Sequence, residues 1–211
     1  MMKTASIFST ENFFKKSVKS INIDLDRKKL LFKIANTIAM HYQKNGFVNL
    51  NFICTHNSRR SQLGQVWAFF AADYFGLSIN AYSGGTEVTA FFRNTVRTLQ
   101  KVGFSFQVAD FNHQNPKYVI SFDETDKSIF GFSKRYDHPE NKNPFIAITT
   151  CNNADANCPF IPEAQERFHL PFVDPKFSDG TEKQDEIYLK TNRQIAGEVF
   201  TIFSEVKNLL S

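Results

Sequence analysis

Apolar and polar positions follow one another along this chain in blocks that read alternately as strands and helices. An apolar run with polar interruptions at 47–53 predicts a strand, and Ser61 to Phe75 predicts a helix. A strand at 78–83 and a helix at about 87–102 come next. After a loop, Tyr118-Val119-Ile120-Ser121-Phe122 predicts a strand, and Phe145 to Thr150 another. A short strand at 168–173 and a helix at about 182–209 complete the pattern. Strands alternating with helices predict a mostly parallel sheet with helices on both faces.

Two segments stand outside this rhythm. Residues 1–46 form an N-terminal helical extension ahead of the domain at 47–211. In it Asp24 or Asp26 caps a helix from about Arg27 to Lys44, with Leu30, Leu31, Ile34 and Ile38 on one face and Gly46 beyond its end. Packing against the core is its expected role; a dimer contact or a lid is the alternative. The stretch from Asp123 to Pro144 is rich in charge, with Phe130, Phe132 and Tyr136 interspersed. It reads as a short helix plus a loop, a solvated excursion with a few packed aromatics, the alternative being a substrate or partner surface.

Composition narrows the class. With 211 residues, 42% of them hydrophobic and 24 of them phenylalanine, the chain suits one core of fair size. A net charge of +4 without a Lys/Arg block suits small anions and argues against nucleic acid. No run approaches a membrane span, and the first twenty residues lack a signal-peptide core. A cytoplasmic protein is expected, with its three cysteines reduced at rest and any disulfide transient.

Chemistry concentrates at Cys54-Thr55-His56-Asn57-Ser58-Arg59-Arg60-Ser61, between the first predicted strand of the domain and its helix. Backbone N–H groups there curl round a tetrahedral oxyanion, the helix dipole favours its charge, and Arg60 adds a planar, bidentate cation. Those groups favour the thiolate form of Cys54, a nucleophile aimed at phosphorus or arsenic. Ser61 donates to the thiolate and Asn57 pins the loop. The bland alternative is a buried cysteine beside a surface arginine. In a parallel sheet, ligands bind beyond the carboxyl ends of strands, where this loop falls.

Cys151 to Pro159 begins right after the 145–150 strand, at the same predicted edge. The segment between Cys151 and Cys158 has no bulky apolar residue, so it rearranges at low cost. Seven-residue spacing and dispersed histidines do not match a zinc site, and no metal or cofactor is expected. A thiol relay suits the three cysteines better. Asp174-Pro175 ends the 168–173 strand, where a carboxylic acid reaches the anion site and protonates a departing oxygen; a simple Asp-Pro turn is the alternative.

The order Cys54-x2-Asn57-x2-Arg60-Ser61, Cys151-x6-Cys158-Pro159 and Asp174-Pro175 resembles the thioredoxin-coupled arsenate reductases of the low-molecular-weight protein tyrosine phosphatase superfamily. The similarity runs over about 47–208 and includes Gln62, Trp67, Tyr82, Ser83 and Gly85. It implies a three-layer α/β/α fold with a four-stranded, mostly parallel central sheet. It further implies that Cys54 attacks arsenate held by the 55–60 amides and Arg60 while Asp174 protonates the oxygen that leaves. Cys151 then attacks Cys54, releasing arsenite, and Cys158 attacks Cys151, leaving a Cys151–Cys158 disulfide for thioredoxin or a similar thiol donor. Arg59 stands where the family often has a cysteine and adds a second cation. His56 replaces a frequent glycine and crowds the loop. Gln65 stands where the reductases commonly carry a glutamate associated with potassium, so no ion is assigned.

Two other functions fit these motifs. A tyrosine phosphatase needs only Cys54, Arg60 and Asp174, although Lys176-Phe177 replaces the tyrosine pair that many small phosphatases carry. A binding module that has kept the oxyanion site is the third, and the intact nucleophile, arginine and acid argue against it.

Overall fold

The computed structural model of the chain describes residues 9–123, 125–157 and 160–211. In chain order its elements are α1 (Thr10–Ser20), α2 (Leu25–Asn45), β1 (Val48–Cys54), α3 (Arg60–Tyr74), β2 (Ile79–Gly85), α4 (Arg93–Lys101) and β3 (Phe104–Asp110). They continue with β4 (Lys117–Phe122), β5 (Ile129–Gly131), β6 (Phe145–Thr149), α5 (Asn152–Asn157), β7 (Ala164–His169), a 3-10 turn at Pro175–Ser178 and α6 (Gln184–Leu209).

Strand β1 is buried throughout and lies inside a four-stranded sheet of order β2-β1-β6-β7. Every pairing in that sheet is parallel. The connection β1–α3–β2 steps one way from β1 and β6–α5–β7 steps the other. Right-handed crossovers in opposite directions place α3 and α5 on opposite faces. Alternation along the strands separates two interiors. Leu50, Phe52, Ile146 and Ile148 join the large cluster under the long helices. Ile53, Phe145 and Ala147 join a small one with Cys54, Cys151 and Ala154 of α5.

The N-terminal helices are welded to the large cluster. Ser9 caps α1 through the Asn12 amide, and Asp24 caps α2 through the Arg27 amide. Gly46 ends α2 at φ 75°, a left-handed conformation open to glycine. Phe13 and Phe14 of α1 both stack on Trp67 of α3, each at 5.5 Å between ring centroids. Trp67 Nε1 donates to Asn192 Oδ1 of α6 at 2.7 Å, and Arg27 of α2 pairs with the buried Glu198 of α6 at 2.7 Å. No helix of the described residues is long and apolar enough to cross a membrane.

Several local expectations change. Residues 117–122 are not part of the parallel sheet. They form the middle strand of a second, antiparallel sheet of order β3-β4-β5, with β3 where the sequence predicts a loop. The few residues between β3 and β4 are too short for a parallel crossover, which leaves an antiparallel hairpin. Phe122 then packs on Phe69 and Phe70 of α3, at 5.3 and 4.8 Å. The expected helix between 123 and 144 is absent among the described residues, which hold β5 and loops. The last strand ends at His169; the chain runs on extended to Asp174. Residues 10–20, left without an element by the sequence reading, form α1 because Phe13 and Phe14 have the Trp67 face to cover.

Candidate active site

The loop from Cys54 to Arg60 leaves the carboxyl end of β1 and enters α3. Its carbonyls are all engaged by the surrounding protein. Cys54 O accepts from Thr86 N, Thr55 O from Glu87 N, and Ser58 O from Phe92 N. His56 O accepts from Thr89 Oγ1 and Ser133 Oγ, and Asn57 O from Gln62 Nε2. In a trans peptide the N–H of the next residue points opposite to each carbonyl. The amides of Thr55 to Arg59 therefore point away from those carbonyl partners, on the side where an oxyanion can be held.

Cys54 Sγ lies 3.1 Å from Ser61 Oγ, and Asn57 Nδ2 donates to that hydroxyl at 2.9 Å. With its Oγ accepting from Asn57, Ser61 has its hydrogen free to point at the sulfur. Asn57 sits at φ 45°, a left-handed turn that asparagine tolerates better than most residues. Its Oδ1 accepts from Lys134 N at 2.9 Å and from Gln62 Nε2 at 3.2 Å. Ser61 is thus in contact with Cys54, and Asn57 is one bond away.

Arg60 and Asp174 meet across a cleft of about 600 Å³ that Cys151, Asn152 and Phe172 also line. Arg60 Nη2 donates to Asp174 Oδ2 at 2.6 Å, and its Nη1 donates to Phe172 O at 3.1 Å. Its Nε is buried and has no partner among the described residues, which leaves a donor for a bound anion. Asp174 also caps the 3-10 turn at Pro175–Ser178, with Oδ1 accepting from Lys176 N.

Two expectations about this loop are corrected. Arg59 does not add its charge to the anion side. Its Nε donates to Tyr188 Oη and its Nη2 to Asp179 Oδ2, both at 2.7 Å, and its guanidinium covers the Phe92 ring at 4.0 Å. Tyr188 and Asp179 are an acceptor pair already in place, so the cation turns to them. His56 does not crowd the loop either: its imidazole leans out to Glu87, 3.3 Å away. Gln65 uses both ends of its amide within the protein, accepting from Ser83 Oγ and donating to Phe130 O.

Because Ile53 and Thr149 are in parallel register, Cys54 and Cys151 leave the sheet at the same edge. Cys151 Sγ lies 3.5 Å from Thr55 Oγ1, within the same loop that holds Cys54. Both thiols are free and buried. The helix α5 that follows is held down by Asp155, whose Oδ1 accepts from Thr149 Oγ1 and Arg167 Nη2. The third thiol of the expected relay, Cys158, lies outside the described residues.

Sequence reasoning missed the residues that fix the loop from behind. Ser133 and Lys134, in the stretch read as a solvated excursion, bond to His56 and Asn57 and are buried. Gly85 is where the loop backbone comes closest: a Cβ there would stand 2.7 Å from Thr55 O and 2.9 Å from Asn57 N. Gly85 is among the residues that carry the resemblance, and its place at a strand end is the signal of this close approach.

No protein-family model matches the chain. An arsenate reductase of Staphylococcus aureus (strain Newman) is 31% identical over 141 residues, which cover 64% of this chain and 87% of that protein. An arsenate reductase of Bacillus subtilis (strain 168) is 29% identical over 154 residues, 73% of this chain and 93% of that protein. Among solved structures, a low molecular weight protein tyrosine phosphatase from T. tengcongensis has a similar fold, with a TM-score of 0.52 at 17% identity over 74% of this chain and 98% of that one. The S. aureus relative places the chain in the arsenate reductase family, and its four-stranded parallel sheet has the fold of the low molecular weight protein tyrosine phosphatases.

Proposed function

We propose that this enzyme reduces arsenate to arsenite, with Cys54 as nucleophile and a thiol relay that thioredoxin or a similar donor regenerates. The oxyanion sits on the amides of 55–60 and on Arg60. Cys54 Sγ displaces one oxygen, forming a sulfur–arsenic bond, and Asp174 supplies the proton with which that oxygen leaves as water. Cys151 Sγ then attacks Cys54 Sγ. The sulfur–arsenic electron pair passes to arsenic, which leaves as arsenite, two electrons reduced, and a Cys54–Cys151 disulfide forms. Attack by Cys158 on Cys151 returns Cys54 as thiolate and moves the disulfide to the pair 151–158.

The observation that carries this reading is the position of Cys151, 3.5 Å from the Thr55 hydroxyl in the nucleophile's own loop. A phosphatase has no use for a second buried thiol there. Hydrolysis of phosphotyrosine is the second reading, favoured by the exposed Val173 and Phe177 on either side of Asp174, which offer an aryl ring an apolar rim.

One purified sample decides between them. Arsenate-dependent oxidation of thioredoxin is expected to far exceed hydrolysis of a phosphotyrosine peptide. A Cys151→Ser protein is expected to stop after less than one turnover with arsenate. Sustained turnover by that variant, or dominant peptide hydrolysis, would refute the relay.

A further inference from the structure

We propose a second ligand site, distinct from the Arg60–Cys151–Asp174 cleft: the cavity between the β2 edge and residues 127–142 binds a small amphipathic carboxylate, with its anionic head at Lys134. This cavity measures about 950 Å³, at the upper end of the range of small-molecule sites. Phe69 and Ala72 of α3, Leu77, Ile79 and Ala81 give it an apolar wall. It shares no lining residue with the Arg60–Cys151–Asp174 cleft.

Charge complementarity selects the head group. Two acids line the cavity, and each has a lysine: Asp73 pairs with Lys127 at 2.7 Å and Glu140 with Lys117 at 2.5 Å. Lys134 and Lys142 have no ion-pair partner among the described residues. The two lysines leave the lining with a net positive charge. Lys134 is only 3% exposed, yet its ammonium makes no hydrogen bond among the described residues, and its one close ring is Phe132 at 4.7 Å. Burying a cation without a direct ion pair is costly: burial outweighs the attraction of Glu140, already held by Lys117, whose own charge opposes that of Lys134, and pulls the Lys134 pKa down to about 8. A carboxylate in the cavity removes that cost, while the apolar wall takes a hydrocarbon tail.

Calorimetric titration of the full chain with octanoate tests the site. Saturable one-to-one binding is expected, at least tenfold tighter than that of octanol and unchanged by saturating inorganic phosphate. Lys134→Met is expected to weaken octanoate at least tenfold and to leave octanol alone. Should that variant not fold, Ala72→Phe, which narrows the cavity from α3, is expected to weaken both probes. Absence of saturable binding, equal affinity for both probes, displacement by phosphate, or an octanoate affinity unaffected by the variant that folds would overturn the assignment.

Discussion

Arg60 and Asp174, 114 residues apart in the chain, are hydrogen-bonded to each other at 2.6 Å in the cleft that Cys151 also lines. On the proposed function, the cation assigned to the oxyanion and the acid assigned to its leaving oxygen are thereby positioned by one contact. An arriving oxyanion competes with Asp174 for the guanidinium, so binding and release of the acid are coupled.

Asp174→Asn keeps the shape and removes the proton. Turnover is expected to fall by about 10²–10⁴-fold, with the inhibition constant of inorganic phosphate unchanged or lower because Arg60 is less firmly held. Arg60→Lys is expected to raise that constant at least ~10-fold, since an ammonium lacks the planar fork. Steady-state kinetics with phosphate as competitor checks both, and weaker phosphate binding in Asp174→Asn would show that the acid acts in binding instead.

Asp155 holds the Cys151 segment to β7. Besides Thr149 Oγ1 at 2.8 Å, its side chain takes Arg167 at 2.5 Å and lies 3.3 Å from His169 Nδ1; His169 Nε2 reaches Asn152 Oδ1 at 3.1 Å. A helix of six residues is far below the length that is stable alone. Asp155→Ala is expected to raise amide exchange at 152–157 at least ~10-fold, about 1.4 kcal/mol of local stability. Alkylation of Cys151 is expected to quicken while that of Cys54 holds. Unchanged exchange would mean that the small apolar cluster alone secures α5.

Asn57 combines a left-handed backbone with three side-chain hydrogen-bond partners. Asn57→Ala leaves Ser61 and Lys134 N short of a partner and places a poorly suited residue at φ 45°. A loss of about 2–3 kcal/mol is expected from chemical denaturation. Asn57→Gly loses the same bonds but relieves the backbone, so it is expected to recover roughly 1 kcal/mol of that. Equal losses would assign the whole effect to the bonds.

Lys134 makes a pH prediction with a definite sign. Its folded-state pKa, about 8, is below the ordinary 10.5, so between those values the unfolded chain binds more protons and stability rises with pH. Below about pH 8 the full penalty is present, about 3 kcal/mol. Lys134→Met is therefore expected to be more stable than the parent at pH 7, with the advantage shrinking from pH 8 to 10.5. Denaturation curves across that window check it, and a constant difference would point to packing alone.

Much of the site was legible in the chain. Cys54, Asn57, Arg60 and Ser61 fall within eight residues, and Cys151 and Asp174 each follow a strand-like run, so their placement at one edge needed only the order of elements. Asp24 and Gly46 likewise announced the ends of α2. What escaped reading lies far apart in sequence. Lys134 reaches Asn57 across 77 residues, Asp179 takes Arg59 across 120, and Phe13 and Phe14 find Trp67 from the far end of the chain.

By itself the sequence determined that the Cys54 loop lies between a strand and a helix and that Cys151 and Asp174 follow strand-like runs, because turn chemistry, caps and periodicity are properties of neighbouring residues. Tertiary structure alone decided that Arg59 turns away to Tyr188 and Asp179, that 117–122 joins a hairpin beside α3, and that residues 132–134 brace the loop from behind. Those outcomes depend on which distant groups are buried together: a carbonyl, a cation or an aromatic face takes whichever partner satisfies it once water is excluded, and only the packed chain defines who that partner is.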